Sequence, residues 1–227
     1  MERSKRRIQF LVVGGMLLVL AVAGGMVAKR VNLAREAALL SACDCRMCGL
    51  SSSLAHYYDA HKTFPAEYNE DRRNALRWDE SLGGLDHRPI DCDCPSGRGR
   101  FAAICGPGAI FDGVHPTRPD EVTDGCENTL VLIELSRQEI ASAGNGGPRL
   151  SELEQLADRD QMVSASSIHA GGRGLVFADC VNYRLVKSIP VATLRALLTK
   201  AGGEKITRQQ LVDDGVLAHT GWYAQIP

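Results

Sequence analysis

The sequence predicts an α+β protein in which a long N-terminal helix packs on a small antiparallel β-sheet domain. Two observations carry this prediction. An apolar segment near the N-terminus continues without proline into a helical repeat, and four short apolar or alternating segments bounded by turn residues follow later in the chain. The 227 residues include 26 Lys and Arg against 27 Asp and Glu. This near-zero charge gives no indication of a nucleic-acid partner.

The apolar segment predicts a membrane anchor. It runs from Ile8 to Ala28 and, at the helical rise, reaches about 30 Å, the thickness of a bilayer core. Lys5, Arg6 and Arg7 precede it, so we expect a single-pass protein of the inner (cytoplasmic) membrane with a cytoplasmic N-terminus and an extracytoplasmic C-terminal domain. The predicted parts are a basic region 1–7, a transmembrane helix 8–28, a helical extension 29–61 and a globular domain 62–227.

A cleaved signal peptide is the alternative interpretation of the same segment. Its apolar region would end near Leu20, and Ala21-Val22-Ala23 would form the cleavage site. The apolar run, however, continues through Met26 and Val27 into the helical pattern with no turn residue between them. We therefore favour an uncleaved anchor.

The predicted helix carries one apolar stripe beyond the anchor. Such a stripe packs either on the protein's own domain or along a coiled-coil seam, and we favour the first. The helix should end at Lys62 to Pro65, because proline disfavours the helical conformation of the residue before it. Two heptad series form the stripe: Leu33, Leu40, Met47 and Leu54, and then Cys43, Leu50 and Tyr57.

The later segments predict strands joined by polar loops and followed by helices. The predicted strands are Phe101–Ile104, Thr129–Leu135, Gly174–Ala178 and Val181–Val186. The other expectations are a helix within Asp71–Leu82, a surface loop Ala141–Arg149, a helical turn or two in Leu150–Gln161, a helix from Pro190 to Gly202-Gly203, a last helix with the capping box Thr207 and Gln210, and a tail whose Trp222 and Tyr223 dock on the core.

Several short blocks occur in the order found in one protein family. They are Ala34-Arg35-Glu36-Ala37-Ala38 with Cys43; Tyr57, Asp59, Phe64 and Pro65; Cys94-Pro95-Ser96; Gly106-Pro107-Gly108 with Phe111; Asp124-Gly125 with Asn128-Thr129 and Glu134; His169 with Gly171-Gly172, Phe177 and Asp179; and Leu194-Arg195-Ala196-Leu197-Leu198 with Gly202-Gly203-Glu204. From about residue 30 to 205 the chain resembles the bacterial domain of unknown function family 1559. The resemblance implies a pseudopilin-like N-terminal helix and a His-x9-Asp-Gly signature.

The chain departs from that family at three places, and one of them is the segment between Pro65 and Cys94, which is shorter than in typical members and lacks their apolar stretch. The prepilin-type leader, with its cleavage glycine and following glutamate, is replaced by Arg6-Arg7-Ile8-Gln9-Phe10. We therefore expect a permanent anchor rather than a filament subunit, with the membrane and other pilin-like or cell-envelope proteins as partners. Cys180 stands where the signature has glycine. A hairpin turn there needs a positive φ, which costs a cysteine about 1 kcal/mol unless a disulfide or another turn geometry compensates.

His169 and Asp179 have two interpretations. They suit a catalytic base with its orienting carboxylate, but no nucleophile motif accompanies them. We favour structural turns: His169 caps the turn at Gly171-Gly172 through a hydrogen bond, and Asp179 bonds the hairpin backbone. The sequence thus predicts a protein that is not an enzyme and has no catalytic residue.

Asp124, Gly125, Asn128 and Glu134 also have two interpretations. Their oxygens suit Ca²⁺, although the spacing is not that of an EF-hand. We favour the simpler structure, in which Asp124-Gly125 forms the turn into the next strand and Asn128 bonds its own loop. No calcium site is therefore predicted.

Eight cysteines offer either disulfides or a metal site. Outside the membrane an even number of cysteines usually pairs completely, so disulfides are our first interpretation, including one between the helix cysteines and the Cys92/Cys94 loop. Zinc held by two cysteine clusters is the alternative; on a helix Cys45 and Cys48 face one side, whereas Cys43 and Cys45 do not. The prediction is a structural or interaction protein with no cofactor, and the alternative is a zinc-binding or thiol-based module. The cysteines are Cys43, Cys45, Cys48, Cys92, Cys94, Cys105, Cys126 and Cys180.

Overall fold

The computed structural model confirms a mixed α+β architecture with a long N-terminal helix and an antiparallel sheet. It describes residues 2–67, 78–82, 92–113, 115–142, 153, 161–165, 168–169 and 171–223. The chain divides into two compact units, Met1–Ser41 and Ala42–Pro227. The boundary falls within the first helix rather than at a linker.

Helix α1 spans Glu2–His61. No proline interrupts it before Pro65, and it ends where predicted, because Lys62 takes a φ of 58° and its N–H donates to the carbonyl of Tyr58 at 2.7 Å. In the first unit the helix is long and apolar enough to cross a membrane, and its most apolar stretch is not buried by the chain. Leu33, the first residue of the predicted stripe, is 62 % exposed. Leu33 belongs to the first unit, so its packing on the domain stays a prediction.

The second unit contains a five-stranded sheet in the order β1-β2-β4-β5-β7, in which every neighbouring pair is antiparallel. A separate two-stranded sheet pairs β3 with β6. The strands are β1 Gly99–Ala103, β2 Leu130–Ser136, β3 Met162–Val163, β4 Arg173–Phe177, β5 Val181–Leu185, β6 Ile189–Pro190 and β7 Leu217–Tyr223; the helices after α1 are α2 Trp78–Ser81, α3 Arg137–Ser142, α4 Val191–Leu198 and α5 Arg208–Asp213.

The four predicted strands are confirmed to within two residues as β1, β2, β4 and β5. The predicted capping box is also confirmed: Thr207 and Gln210 exchange side-chain and backbone hydrogen bonds at the start of α5. The predicted extent of the helix after Pro190 is wrong, since α4 ends at Leu198. Of the expected helix 71–82 only 78–82 is described, and the loop 141–149 and the segment 150–161 lie mostly outside the described residues.

Both faces of the sheet are covered. On one face, Met47, Leu50 and Leu54 of α1 pack in a cluster with residues of the sheet. On the other, α4 contributes the apolar side chains of Leu194 and Leu197 to a second cluster. The second half of the predicted stripe, which includes the buried Cys43, thus packs on the protein's own domain as expected.

Candidate functional site

The sheet face beneath α1 is polar at its centre. In β2, Leu132 belongs to the cluster under α1 while Ile133 and Leu135 belong to the opposite cluster. Because side chains alternate along a strand, Glu134 faces α1. Asn182 and Arg184 lie on the same face of β5, since Tyr183 and Leu185 belong to the opposite cluster. This polar patch is fully buried beneath the helix.

The carboxylate of Glu134 is wholly buried. Its Oε2 accepts a hydrogen bond from the N–H of Gly174 at 2.9 Å and lies 3.4 Å from Nη1 of Arg184. A Cβ on Gly174 would lie only 3.2 Å from Oε2 and 2.8 Å from the ring of Phe101. Glycine at 174 therefore leaves room for the carboxylate beside the strand.

Arg184 ties α1 to the sheet around Glu134. Its Nε donates to Oδ1 of Asp44 on α1 at 2.8 Å, and its Nη1 donates to the carbonyl of Gly172 at 2.8 Å. About two turns further along α1, Nδ2 of Asn182 donates to Oγ of Ser51 at 3.0 Å. These bonds fix the register of the helix over the sheet.

A disulfide joins Cys43 of α1 to Cys94, with a Cα–Cα distance of 5.4 Å. The loop that carries Cys94 is itself fixed to β1, because the N–H of Cys94 donates to the carbonyl of Gly99 and that of Phe101 donates to the carbonyl of Cys92. The predicted connection between the helix cysteines and the 92/94 loop is thus present, through Cys43 and Cys94.

His169 lies against this disulfide and is 3 % exposed. Its Nε2 is 3.1 Å from Sγ of Cys43, 3.2 Å from Sγ of Cys94 and 3.5 Å from Oε1 of Glu134. One N–H can donate to only one of these three acceptors. Within the described residues, both Oε1 of Glu134 and Nδ1 of His169 lack a hydrogen-bond partner.

The four side chains form a buried cluster of Cys43, Cys94, Glu134 and His169, whose donor atoms all lie within 4.8 Å of one another. Burial raises the pKa of the Glu134 carboxyl, but the His169 imidazole, the Gly174 N–H and the Arg184 guanidinium outweigh burial and hold that pKa below its usual range. A carboxylate, an imidazole and two sulfurs are together the donor set of a metal site or the surroundings of a redox-active disulfide.

A buried arginine supports Glu134 from the adjacent strand. Arg173 is fully buried, and its Nη1 donates to the main-chain carbonyl of Glu134 at 2.9 Å. Its Nη2 donates to Oε1 of Glu139 at 2.8 Å. Glu139 and Ser136 also exchange backbone and side-chain hydrogen bonds at the start of α3. Arg173 and the Ser136–Glu139 hydrogen bonds therefore fix the end of β2 to β4 and to the start of α3.

His169 takes part in the turn through its main chain rather than its side chain. The turn is closed by the main chain, because the N–H of Gly172 donates to the carbonyl of His169 at 3.2 Å. Gly172 itself is required: its φ is 106° and an added Cβ would lie 2.5 Å from the carbonyl oxygen of Leu185. Gly171 occupies the same turn. Because the main chain closes this turn, the imidazole of His169 is available to face the two cysteines.

As expected, Asp179 forms hydrogen bonds within the hairpin and does not orient His169. Its Oδ1 accepts from the N–H of Val181 at 3.2 Å, and its carboxylate pairs with Arg208 of α5 at 2.6 Å. Cys180 in the same turn has a φ of 62°, which confirms the expected positive φ. Its Sγ makes no disulfide, so the first of the two possible compensations, a disulfide through Cys180, is absent.

Asp124, Gly125 and Asn128 form a turn, and the structure does not bring Glu134 to it. The carboxylate of Asp124 accepts from the N–H groups of Gly202 and Gly203 at 2.6 and 2.9 Å. Gly125 has a φ of 91°, and Nδ2 of Asn128 donates to the carbonyl of Asp124 at 2.9 Å. The grouping of Glu134 with these residues as calcium ligands is wrong, because Glu134 lies in the buried cluster.

The expected complete pairing of the cysteines is not found. One disulfide joins two of them, and the others carry thiols: Cys45, Cys48, Cys92, Cys105, Cys126 and Cys180. Burial raises the pKa of the Cys180 thiol, and burial with the nearby Glu127 and Asp179 carboxylates raises the pKa of Cys126 to about 11. These inner thiols are therefore poor nucleophiles.

Sequence reasoning missed the partners of the cluster: Asp44, Arg173 and Arg184. The available signal was a charged residue at an inward position of an apolar strand, since a buried charge needs a partner. Glu134 interrupts the run Leu130 to Leu135, and Arg184 lies between Tyr183 and Leu185.

Comparison with protein-family models, with curated proteins and with solved structures finds no match.

Proposed function

We propose that this chain is a membrane-anchored structural or interaction protein without catalytic activity. In this proposal it crosses the cytoplasmic membrane once, with the N-terminus inside and the domain 42–227 on the extracytoplasmic side. The carrying observation is the exposed apolar surface of α1: the large apolar side chains of residues 16–20 are 58–67 % exposed. Removing such surface from water stabilises by about 25 cal/mol per Å². A bilayer removes it along the whole segment.

The proposed orientation rests on charge. Lys5, Arg6 and Arg7 precede the apolar segment, and basic residues stay on the cytoplasmic side. The disulfide between Cys43 and Cys94 supports export, because disulfides persist in oxidising compartments. Membership of family 1559 and association with pilin-like or cell-envelope proteins remain part of this proposal.

Thiol labelling tests the orientation. Cys45 is exposed, so a membrane-impermeant maleimide should label it in right-side-out vesicles without detergent. Cys45→Ser is the matched control that identifies the label. Ser4→Cys in the Cys45→Ser background should be labelled only after detergent opens the vesicle. Labelling of residue 4, but not of Cys45, from outside would reject the proposed orientation, and a mass shortened near Ala23 would reject the uncleaved anchor.

A thiol-based or metal-binding module is the second candidate. The observation that favours it is the buried cluster of Cys43, Cys94, Glu134 and His169. A purely structural disulfide needs neither a buried imidazole against both sulfurs nor a buried carboxylate behind it. This candidate shares the scaffold and the membrane anchor with the first.

A further inference from the structure

We propose that Cys43, Cys94, His169 and Glu134 bind one Zn²⁺ ion when the two cysteines are reduced. This inference rests on the second candidate function and names its ligands and its metal. It does not depend on membrane orientation, because all four ligands belong to the unit Ala42–Pro227. Vesicle labelling and metal binding therefore succeed or fail separately.

The distances within the cluster match a tetrahedral site. With metal–ligand distances of about 2.0–2.3 Å, two ligand atoms at the corners of a tetrahedron lie about 3.3–3.8 Å apart. Nε2 of His169 is 3.1 and 3.2 Å from the two sulfurs and 3.5 Å from Oε1 of Glu134. Three of the six edges thus already have nearly the required length. Breaking the bond between Cys43 and Cys94 lets the two sulfurs separate to complete the set.

One unsatisfied atom of the cluster, Oε1 of Glu134, would be satisfied by the same ion. Oε1 of Glu134 is buried and makes no hydrogen bond within the part of the chain that the structure describes, although Nε2 of His169 lies 3.5 Å from it. A buried carboxylate oxygen without a partner is costly. In the metal-bound state, Oε1 of Glu134 and Nε2 of His169 would both be ligands of the ion. The other carboxylate oxygen, Oε2, already accepts hydrogen bonds from Gly174 and Arg184. Such outer hydrogen bonds orient the ligands of metal sites.

A divalent ion offsets most of the negative charge of the site. Two thiolates and the Glu134 carboxylate carry three negative charges, of which Zn²⁺ would neutralise two, and the guanidinium of Arg184 lies between Glu134 and Asp44. Thiolates are soft ligands that select zinc over the hard cations calcium and magnesium. Cys45, which was grouped with Cys48 as a zinc-binding pair from the sequence, is exposed and lies outside this cluster.

Zinc can bind at this site only after the disulfide has been reduced. A dithiol reductant donates two electrons and two protons to the Cys43–Cys94 disulfide and becomes a disulfide itself. Zn²⁺ then replaces the two thiol protons, which are released to water, and His169 binds as the neutral imidazole. A disulfide oxidant that accepts two electrons and two protons, and becomes a dithiol, re-forms the Cys43–Cys94 bond and releases Zn²⁺. The oxidised and the zinc-bound states are therefore mutually exclusive.

Zinc binding to the full-length chain in detergent provides the test. Protein is reduced under argon with a dithiol, desalted, titrated with Zn²⁺ and assayed for bound metal by mass spectrometry. We expect about one zinc per reduced chain, with release of the thiol protons that the metal replaces, and no zinc per oxidised chain. Reduced wild-type protein that binds no zinc, or oxidised protein that binds it equally well, would overturn the proposal.

Matched variants locate the ion. Glu134→Gln keeps the shape and the hydrogen bond from Gly174, and should weaken zinc binding by more than the roughly 100-fold that follows loss of an outer partner. Cys45→Ser should leave binding unchanged. Binding unaffected by Glu134→Gln, or abolished by Cys45→Ser, would assign the ion to other residues.

Cobalt provides a measurement that requires no variant. Co²⁺ added to the reduced wild-type chain should give thiolate-to-metal charge-transfer absorption and the intense visible bands of tetrahedral coordination, and Zn²⁺ should displace it. Octahedral spectra without charge-transfer bands would overturn the proposed donor set, even if every variant failed to fold.

Discussion

Reduction of the Cys43–Cys94 disulfide should destabilise the metal-free domain by about 4 kcal/mol. The two residues are 51 positions apart in the sequence. The entropy of closing a loop of this length in the unfolded chain, 2.1 + 1.5R ln n cal/mol/K, amounts to about 4 kcal/mol at 25 °C. Since each kcal/mol lowers Tm by roughly 2–4 °C in a domain of 150–250 residues, we expect a loss of roughly 8–16 °C.

Thermal unfolding of the full-length chain in detergent, followed by circular dichroism, measures this loss. Oxidised and reduced samples of the same wild-type protein differ in the cross-link alone, provided that a chelator removes zinc. The double variant Cys43→Ala with Cys94→Ala controls for the reductant, because its Tm should not respond to it. Cys45→Ser should respond like the wild type. Oxidised and reduced wild-type samples that melt at the same temperature would refute the argument that this bond fixes α1 to the sheet.

Three further predictions concern other parts of the domain. Gly172→Ala should lower the free energy of unfolding by about 2 kcal/mol or more, because the φ of 106° and the close backbone contact at this position exclude a side chain. Gly203→Ala is the control, since φ is 75° there but the space is open, and it should lower Tm less. Equal losses of Tm in the two variants would contradict this prediction. With its pKa raised to about 11, Cys126 should react with iodoacetamide at least about tenfold more slowly than exposed Cys45 in the native protein, as peptide mass mapping over time can check. Burial alone would raise the pKa of Glu139, but the buried Arg173 outweighs burial and holds that pKa below its usual value. The stabilisation from this carboxylate is therefore complete above the unfolded pKa of about 4.3 and is lost as pH falls below that value. The loss of Tm between pH 7 and pH 4 should be smaller in Glu139→Gln than in the wild type, and a larger loss would contradict this prediction.

The elements set by local pattern were predictable. Strands β1, β2, β4 and β5 alternate or run apolar between turn residues, and the Thr207/Gln210 capping box fixes the start of α5. One helix start was overlooked although its signal was present, since Ser136 and Glu139 have the same capping-box spacing ahead of α3. Strand β7 was not predicted, because its sequence from Leu217 to Tyr223 includes a glycine and two polar residues. Its pairing with β5 stabilises this segment as a strand, although the local sequence pattern does not predict one.

The candidate site was only half predictable, because its four residues come from four separate segments. Cys43 and His169 are 126 positions apart, and Cys94 and His169 are 75 apart, so no local spacing links them. The sequence did indicate that a helix cysteine meets the 92/94 loop, but not which cysteine. The stripe contained that information: Cys43 shares its heptad position with the buried Leu50, whereas Cys45 falls on the exposed side of the helix.

Glu134 provides the physical reason to look beyond a disulfide at this place. A carboxylate within a strand whose two faces are both covered must lose its hydration on folding, and folding tolerates that loss only when the charge is paired. Arg184 and the Gly174 N–H satisfy Oε2, whereas Oε1 is left facing His169 and the two sulfurs. A disulfide has no hydrogen to donate to this oxygen, and Nε2 of His169 lies 3.5 Å from it, beyond the usual length of a hydrogen bond. A divalent ion among the same atoms would satisfy it, which is why we expect the reduced cluster to bind zinc.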